Sequence, residues 1–440
     1  MQLTRPPIRT VHMRSALLLL LLLLQSPRGA SPQRCDAVHD CGAVPDNATN
    51  ADAALTACAR RCSTIAFRAG VALRVASVDL SNTSGLTLSF EAGASLWASA
   101  DARDYPLAPF YPPMGSTQCL RAVLFGRNVS DFVLEGPASA IIDGAGAAFQ
   151  PGRNTSKVQT AKLLELVDVR NAVVRGLTLQ NAANWHVHVL WCANVSFLNN
   201  TVLGPRAWGG TDGIDPSSCT DVLIDGAHVD VGDDAIAVTA GGAHDVTGAL
   251  MPTARVTVRN SYLVSRNFAI GSATFSNVSE VLVEDVRIGD DEGSAAWGIK
   301  IKSHEPHGGD VSNVTFRNIR MGRIAPNSYE EPSGGYALAM YSNYGSAAAV
   351  AAAAREGKPP PFAPSRTHNI SFINVTAVSA RWAANPLAGG GANGSALGPL
   401  LFENVDFGNV SERPAWLCAD IAGTMTRGTV QPPLPAECGL

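Results

Sequence analysis

Charged residues are scarce in this chain, at 16% of its 440 positions, and they form no long block of one sign. The sequence also lacks a Ser/Pro-rich linker, so nothing after the N-terminal segment marks a boundary between domains. The formal net charge of −4 leaves no global basic surface, which excludes nucleic acid as an expected partner. The 41 glycines are typical of a body rich in strands and turns. We therefore expect one β-rich domain over residues 31–440.

Long apolar runs are absent outside the N-terminus. There, arginines precede an apolar block that is followed by small residues suited to cleavage: Arg5, Arg9, Arg14, Ala16–Leu24, Gly29 and Ala30. This order predicts a signal peptide over residues 1–30 and secretion to the extracellular space or cell wall. The block is short for a membrane span, so an uncleaved anchor is the weaker alternative. We expect no stable membrane association after cleavage, and a monomer.

Sequons and cysteines agree with export. Twelve Asn-x-Ser/Thr sequons occur along the chain, and they predict a glycoprotein. Two of them, at Asn199 and Asn374, fall on a repeated asparagine and are weak signs of glycosylation. Nine cysteines suit an oxidising compartment and disulfide bonds, although an odd number leaves at least one thiol unpaired.

A short pattern recurs along the chain. Its first and third positions are apolar, its second and fourth mostly polar, and its fifth Asn, Asp or Gly. The clear copies are VSFLNNTV, VLIDGAHV, VTVRNSYL, VLVEDVRI, VTFRNIRM, ISFINVTA and LLFENVDF, beginning at Val195, Val222, Val256, Val281, Val314, Ile370 and Leu400. Fainter copies begin at Phe132 and Ala172. The alternation predicts a half-buried strand, and the fifth residue tolerates the left-handed bend of a corner.

The spacing of the copies sets the fold class. Clear copies start 27, 34, 25, 33, 56 and 30 residues apart, with no helical pattern between them. This repeat predicts an all-β, right-handed parallel β-helix in which each turn stacks on its neighbour. Residues 31–110 are expected to cap its N-terminal end, and the Ala/Pro-rich residues 346–364 to form a surface loop. Leucine-rich repeats lack this pattern, and a β-propeller needs longer units.

Two cysteines precede adjacent copies at the same offset. Cys192 lies three residues before Val195, and Cys219 lies three before Val222. Equivalent positions on neighbouring turns lie about 4.8 Å apart, within the Cα range of a disulfide. We expect the two side chains to be neighbours, either bonded or stacked as reduced thiols.

A second set of segments carries polar residues. We align Ile214, Ile236, Ile270 and Ile301 as inward-facing positions. The flanking residues then share one outer face, namely Asp215, Lys300 and Lys302, with small residues between them, His188 upstream and Tyr341 downstream. Small residues leave a floor and polar residues can line a cleft. A solvated polar face is the plainer alternative.

Three carboxylates belong to this face. Asp212 and Asp234 occupy equivalent places 22 residues apart, and Asp233 precedes Asp234. Carboxylates so close cannot all ionise at low cost, so one should have a raised pKa, as an acid–base pair for glycosidic cleavage requires. The lysines can pair with the carboxylate of an acidic sugar. A calcium site and a purely structural role in turns stay open on spacing alone.

The chain resembles glycoside hydrolase family 28, the polygalacturonases. The resemblance rests on GTDGIDPSS from Gly210, GDDAIAV from Gly232, FAIGS from Phe268 and GIKIK from Gly298, and extends to DCGAVPDNATNADAAL from Asp40, IIDGAG from Ile141 and NAANWHVHVLWCANV from Asn181. It implies a parallel β-helix that cuts α-1,4 bonds of pectic polysaccharide by single-displacement inversion, without a metal or other cofactor.

The resemblance also implies roles for individual residues. Asp233 matches the general acid, while Asp212 and Asp234 match the pair that activates water. Lys302 matches the lysine that binds a galacturonate carboxylate, and Tyr341 is our choice for a tyrosine that the family places beyond it. We also assign Lys300, His188 and Asp215 to substrate binding.

Three positions depart from the family. Gly210 replaces an asparagine, Lys300 replaces an arginine, and Ser265-Arg266-Asn267 stands where the family has Gly-His-Gly. Arg266 is our candidate for a substituting sugar contact. These departures leave exo action or a rhamnogalacturonan-type substrate open, and the DGIDPSS version of the motif, with a long insertion over residues 241–252, favours exo action. A calcium-dependent pectate lyase and a catalytically silent wall-binding protein also stay open.

Overall fold

The structure, a computed structural model, describes residues 33–110, 118–152, 158–293, 295–303, 308–326, 334–341, 366–388 and 397–440. The predicted signal peptide and the predicted loop over residues 346–364 lie outside these ranges. Among the described residues, no helix is both long and apolar enough to cross a membrane.

The chain winds as a right-handed parallel β-helix, which confirms the predicted fold class. Two stacks of strands join into one 21-stranded sheet. The first stack contains β1 (Arg34–Asp36), β2 (Thr64–Phe67), β5 (Thr87–Phe90), β10 (Ser130–Glu135), β13 (Arg170–Arg175), β16 (Ala193–Leu198), β19 (Thr220–Asp225), β22 (Thr253–Arg259), β25 (Val278–Ile288), β27 (Val311–Ile324), β29 (Thr367–Ala380), β31 (Leu400–Asp406) and β34 (Thr424–Gln431). The second contains β3 (Ala72–Val75), β6 (Ser95–Ala98), β11 (Ile141–Asp143), β14 (Thr178–Gln180), β17 (Thr201–Leu203), β20 (His228–Asp230), β23 (Tyr262–Leu263) and β32 (Asn409–Val410). The long strands β25, β27 and β29 run through both stacks.

A separate eleven-stranded sheet forms the third face of the coil. Its strands are β4 (Val78–Asp79), β9 (Leu124–Arg127), β12 (Leu164–Val167), β15 (Val187–Leu190), β18 (Ile214–Ser217), β21 (Ile236–Ala240), β24 (Phe268–Thr274), β26 (Trp297–Lys302), β28 (Tyr336–Tyr341), β30 (Trp382–Ala388) and β33 (Trp416–Ala419). Outside the helix body, β7 (Leu107–Pro109) and β8 (Gln118–Leu120) form an antiparallel pair. Short 3-10 turns span Ala102–Asp104, Gly146–Gly152 and Ala436–Cys438.

The repeated pattern has the register that the sequence predicts. Phe132, Ala172 and the first residues of all seven clear copies pair in one continuous row from β10 to β31. The corner asparagines adopt left-handed backbone angles, as in Asn374 with a φ of 54°. Their side chains form a ladder, because Asn374 donates to Asn318 at 3.0 Å and Asn404 donates to Asn374 at 3.2 Å. Each corner is therefore tied to the one below.

The core lies inside the coil and is filled by stacked rings and aliphatic side chains. Phe316 and Phe372 stack with ring centroids 5.3 Å apart, and Phe372 and Phe402 follow at 5.2 Å. All three are fully buried. A buried aromatic side chain contributes more to stability than its area alone when rings stack at this distance.

One helix interrupts the strands, and the sequence pattern did not predict it. Helix α1 spans Asp52–Ala59 and directs Leu55 and Cys58 inward, at the spacing of one helical face. Disulfides Cys41–Cys58 and Cys35–Cys62 tie it to the first strands. At the opposite end Cys418 is bonded to Cys438, so covalent links brace both ends of the coil.

The neighbouring pair Cys192 and Cys219 is not bonded. Each thiol lies against backbone carbonyl oxygens, such as that of Leu190 for Cys192 at 3.2 Å. The Cys219 thiol donates to the carbonyl oxygen of Ser217 at 3.1 Å, and its sulfur accepts from the Cys192 N–H at 3.2 Å. The prediction that they are neighbours is confirmed, and the alternative of stacked reduced thiols is the correct one.

The predicted alignment of the polar segments is wrong by two residues at one step. Ile236 pairs with Phe268 and not with Ile270, and Ile299 follows Phe268. A shift of two leaves each side chain on the face assigned to it, because the side-chain period of a strand is two. Lys300 consequently stacks beside Ala269 on the outer face.

We predict that Phe372→Ala lowers the free energy of unfolding by about 3–5 kcal/mol, because the ring leaves a cavity in a closed stack. The measurement is urea unfolding followed by circular dichroism. Val378→Ala is the matched control, since Val378 lies on the same strand and is 48% exposed. Equal losses in the two variants would contradict a stabilising role for the phenylalanine stack.

Candidate active site

A cleft of about 650 Å³ lies on the outer face of the eleven-stranded sheet. It is lined by Trp185, His188, Gly210, Asp212, Asp215, Asp233, Asp234, Ala237, Thr239, Gly271, Ser272, Ala273 and Lys302. Six of the nine predicted site residues are among them. The remaining three, Arg266, Lys300 and Tyr341, adjoin this set. The small residues form the floor that the sequence predicts.

The turns before β18 and β21 bring the three carboxylates together. Ile214 pairs with Ile236, so Asp212 and Asp234, each two residues earlier, stack on adjacent coils. The N–H of Gly213 donates to the carbonyl oxygen of Asp234 at 2.9 Å and fixes the two turns to each other. Oxygen atoms of Asp212, Asp233 and Asp234 all lie within 4.8 Å of one another. The predicted acidic cluster therefore exists as a structural unit.

Asp234 is held on both oxygens. Lys302 donates from Nζ to Oδ2 at 2.8 Å, and Asn267 donates from Nδ2 to Oδ1 at 2.8 Å. Burial alone would raise the pKa of Asp234, but the ammonium groups of Lys302 and Lys300 outweigh burial and lower the pKa below its ordinary value. Asp234 is thus a fixed carboxylate at neutral pH.

Asp233 has a different environment. Its Oδ2 accepts a short hydrogen bond from the N–H of Gly210, and its Oδ1 accepts from the N–H of Asp234 at 3.0 Å. Arg266 donates from Nη1 to Oδ1 at 3.2 Å. Asp233 therefore also holds the turn, which was the structural role left open by the sequence. Gly210, which replaces the family asparagine, contributes through its backbone.

Two further acids of the cleft, Asp212 and Asp215, have raised pKa values. Burial, with the nearby carboxylates of Asp215, Asp233 and Asp234, raises the pKa of Asp212 well above its ordinary value. Burial and the charge of Asp234 do the same to the pKa of Asp215. Both shifts follow from charging like groups in a site with little water. The crowding of carboxylates thus has the consequence predicted for at least one of them.

The basic residues lie along the C-terminal side of the acids. Lys302 and Lys300 are both buried on β26, 6% and 7% exposed, and the Lys300 ammonium lies 3.6 Å from the centre of the Trp297 ring. Tyr341 pairs with Lys302 in the next strand and is half-buried. Two ammonium groups and a phenol therefore lie close together on the adjacent strands β26 and β28.

A second polar cluster lies on the N-terminal side. Lys162 and Glu165 form a buried ion pair, and the Nδ1 atom of His188 lies 2.9 Å from Lys162 Nζ and 3.0 Å from Glu165 Oε1. Burial and the ammonium of Lys162 lower the pKa of His188 to about 4, so the ring is neutral near neutral pH. The Trp185 ring contacts His188 with centroids 5.1 Å apart. His188 faces Asp215 across adjacent strands.

Several residues that shape the site were missed by sequence reasoning. Asn267, beside the predicted Arg266, binds Asp234, whereas Lys162 and Glu165, which bind His188, belong to no motif. Buried His186 donates from Nδ1 to the carbonyl oxygen of Asp212 at 2.9 Å and so helps to place it. Thr211 accepts from the N–H of Gly232 at 3.2 Å and joins the two acidic turns. Thr211 lies in the quoted motif GTDGIDPSS, which was the signal that could have indicated it.

The acidic cluster has the donor atoms of a cation site, since three carboxylates lie within reach of one ion. Two of them already pair with cationic side chains, Asp234 with Lys302 and Asp233 with Arg266. A divalent cation would be repelled by both side chains at close range. The residues present therefore fit a metal less well than they fit acid–base chemistry.

Comparison with known proteins identifies the family. The model described as Glycosyl hydrolases family 28 matches residues 63–329. The chain belongs to glycosyl hydrolases family 28. This confirms the resemblance seen in the motifs around Asp212 and Asp233.

Individual relatives in family 28 share less than a third of their residues with this chain over the matched regions. A probable polygalacturonase of Vitis vinifera is 29% identical over 278 residues, which cover 61% of this chain and 54% of that protein. The chain thus spans about half the length of the curated relatives it matches. The structure of an exopolygalacturonase from Thermotoga maritima has a TM-score of 0.68 at 14% identity, covering 90% of this chain and 91% of that one. A polygalacturonase from Erwinia carotovora ssp. carotovora has a TM-score of 0.67 at 18% identity, covering 91% and 98%. These structures share the fold.

We predict that acidification from pH 7 to pH 5 destabilises the wild type more than His188→Gln, by on the order of 1 to 2 kcal/mol. The unfolded histidine has its ordinary pKa of 6.5 and the folded one about 4, so between these values the unfolded chain binds a proton that the folded chain does not. The contribution of His188 to the free energy of unfolding is therefore fully present above pH 6.5 and is lost as the pH falls towards 4. Urea unfolding at each pH measures it.

His228→Gln is the control for this experiment, because His228 is exposed on β20 of the larger sheet. It should follow the wild-type curve. A His188→Gln curve parallel to the wild type would show that His188 does not contribute to the pH dependence.

Proposed function

We propose that this family 28 protein hydrolyses α-1,4-galacturonosidic linkages of pectic polysaccharide, with inversion and from a chain end. The observation that carries the proposal is the cluster of Asp212, Asp233 and Asp234 beside Lys302 and Arg266 in one cleft. Carboxylates at this density supply acid and base, and cationic side chains beside them suit an acidic sugar.

In the proposed reaction Asp233 donates a proton to the glycosidic oxygen as the bond to the anomeric carbon breaks. Asp234 and Asp212 hold a water molecule, which attacks the anomeric carbon and loses its proton to this pair. The products are two sugar chains, one with a new reducing end. Both oxygens of Asp234 accept hydrogen bonds, from Lys302 and Asn267, which fixes the carboxylate in place and suits it to orienting the water.

The carboxylates lie closer together than the acid and base of most inverting glycosidases. Inverting pairs usually leave room for water at about 6.5–9.5 Å, whereas these oxygens approach within 4.8 Å. Three acids around one point can place water beside two of them rather than between acid and base. The family resemblance supports inversion, and the anomeric form of the first product decides it.

Arg266 gives the acid role a further requirement. Arg266 donates from Nη1 to Asp233 at 3.2 Å, so the assigned acid already has a cationic partner in the absence of substrate. A uronate carboxylate entering the cleft offers Arg266 a second anionic partner and can take over its charge. We therefore assign Arg266, with Lys302, Lys300 and Tyr341, to binding the substrate carboxylate.

Exo action is supported by the N-terminal end of the cleft. Beyond His188 the outer face continues to Glu165 and Lys162, which are 2% and 1% exposed. The rings of Phe110 and Trp185 cover the Lys162 ammonium at 4.9 and 4.8 Å. A sugar chain that lies across the coils meets this wall three coils from Asp234, a distance of about 14 Å.

The long insertion is docked along another edge of the sheet. It is docked by Arg127, which donates to Asp245 at 2.7 and 2.6 Å, and by His244, which lies 2.6 Å from Asp168. The contacts fix residues 241–252 against the ends of earlier strands. We include it in the exo proposal as a boundary of the cleft.

Secretion and glycosylation complete the proposal, with the protein acting as a monomer. The three disulfides support an oxidising compartment. Asn374 donates its side-chain nitrogen to the corner ladder, so a glycan there would remove a structural hydrogen bond. Exposed sequons such as Asn47 and Asn409 are the better acceptors.

We predict that Asp233→Asn lowers the release of reducing ends from polygalacturonate by about 100-fold or more, because an amide cannot act as the general acid. A reducing-sugar assay measures it, with urea unfolding to show an intact fold. Asp221→Asn is the matched control, since Asp221 is exposed and paired with Arg255 on the larger sheet. Turnover near wild type in Asp233→Asn would exclude the assigned role.

We also predict that galacturonate monomer is the first product from polygalacturonate, in the β-anomeric form. Chain-length profiles over time, read with proton NMR in the first minutes, measure both properties. A spread of oligomers would indicate endo action, and an initial α anomer would indicate retention. Cleavage of rhamnogalacturonan instead would indicate a hydrolase of that polymer. An ultraviolet-absorbing product lost with EDTA would indicate a calcium-dependent lyase, and no product a silent wall-binding protein.

A further inference from the structure

The buried ion pair of Lys162 and Glu165 has no part in the proposed reaction. Both side chains are almost completely inaccessible, and their charged groups contact each other and His188. Burying two charges is costly unless they are well paired, so such a pair is not an efficient way to gain stability. A specific role in the cleft would account for it better.

Both residues of the pair contact one ring nitrogen of His188. Lys162 Nζ and Glu165 Oε1 lie 2.9 and 3.0 Å from His188 Nδ1, and the two charged groups contact each other. The Phe110 and Trp185 rings close over the ammonium from the other side. His188 therefore has one orientation, in which Nε2 points away from the pair.

Two buried polar atoms remain unsatisfied on the adjoining coils. Within the part of the chain that the structure describes, His188 Nε2 and Asp215 Oδ1 have no hydrogen-bond partner. Their residues are 1% and 3% exposed, face each other across β15 and β18, and both line the cleft. Leaving such atoms without a partner costs free energy that a bound group can recover.

The two atoms together define the chemistry of that group. A neutral imidazole nitrogen and a carboxyl oxygen can each donate or accept, according to where their protons lie. A hydroxyl, which donates one hydrogen bond and accepts others, can bridge them in either arrangement. A carboxylate of the substrate only accepts, and beside an ionised Asp215 it would be repelled.

We infer that His188 and Asp215 form a subsite for a sugar hydroxyl, and that Lys162 and Glu165 are positioning residues that hold His188 for it. The inference rests on the proposed function and assigns a second recognition element to the same cleft. The lysines and Arg266 bind the carboxylate of a galacturonate, and the His188–Asp215 subsite binds a hydroxyl on its N-terminal side.

The first test pairs an enzyme variant with substrates that lack single hydroxyls. Asp215→Ala is tolerable because the next coil carries Ala237 at the equivalent place. On digalacturonate it should lower kcat/KM about tenfold or more. On the one monodeoxy digalacturonate that lacks the bridging hydroxyl, wild type and Asp215→Ala should have similar kcat/KM values.

The outcomes of this test separate the subsite from the proposed function. If the wild type releases no galacturonate from digalacturonate, the proposed function fails and the subsite fails with it. If the wild type is active but Asp215→Ala loses the same factor on every monodeoxy substrate, only the subsite is overturned. Convergence on a single deoxy substrate supports it.

The second test concerns Lys162 and Glu165 and uses a double-mutant cycle. The combined change Lys162→Met/Glu165→Gln removes both charges at nearly constant volume and should lower kcat/KM about tenfold. In a His188→Phe background, which keeps a ring but no nitrogen, the same change should cost less than about twofold. Equal losses in both backgrounds would show a merely structural pair and overturn the positioning role.

The exposed pair of Arg255 and Asp221 supplies the control for charge removal, as Arg255→Met/Asp221→Asn. It should leave kcat/KM unchanged in both backgrounds. If the buried double variant does not fold, Glu165→Gln alone serves in the same cycle, since it keeps shape and a hydrogen-bond acceptor. Its coupling to His188→Phe supports or overturns the positioning role by the same criterion.

Discussion

The fixed stacking of equivalent residues on neighbouring coils is the constraint on which the site depends. Backbone hydrogen bonds between parallel strands hold successive coils about 4.8 Å apart, so residues at one register position must be neighbours. Asp212 and Asp234 are brought together in this way. Two separate loops would lose conformational entropy in order to hold like charges at this distance, whereas here the ladder holds them already.

The same stacking supplies the charges that make the acidic cluster tolerable. Lys302 comes from two coils beyond Asp234 and Asn267 from the next coil, and both reach its carboxylate. The result is an uneven group of acids in which the pKa of Asp234 is lowered by the lysines, while burial and its acidic neighbours raise the pKa of Asp212. The two acids proposed to hold water, Asp234 and Asp212, therefore have opposite pKa shifts, so the unequal environments lie within this pair.

The strand register could be predicted from the sequence wherever the pattern repeats. Alternating apolar residues and a left-handed corner specified the row from Phe132 to Leu400, because a slip of one residue would expose the core face. A slip of two is not penalised in this way, and the Ile236–Phe268 pairing was missed for that reason. Helix α1 was missed because it is short and sits outside the repeat.

Site residues outside the motifs were beyond sequence reasoning. Lys162 and Glu165 flank two leucines and resemble the polar side of an ordinary strand, and only the fold buries them against His188. For Cys192 and Cys219 the sequence predicted the position of the residues but not whether they are bonded. Register alone made them neighbours, but whether sulfur meets sulfur depends on side-chain direction, which spacing does not specify.

The residues that stand in place of the family histidine contact the acidic cluster. Arg266 and Asn267 are adjacent, and each binds a different acid, Asp233 and Asp234 respectively. The exchange replaces a neutral or weakly basic ring with a permanent cation that forms an ion pair with Asp233. Under the proposed function, an anionic substrate offers Arg266 a second partner and can draw it away from Asp233. A neutral sugar would leave that ion pair intact, so the same substitution that departs from the family strengthens the requirement for a uronate.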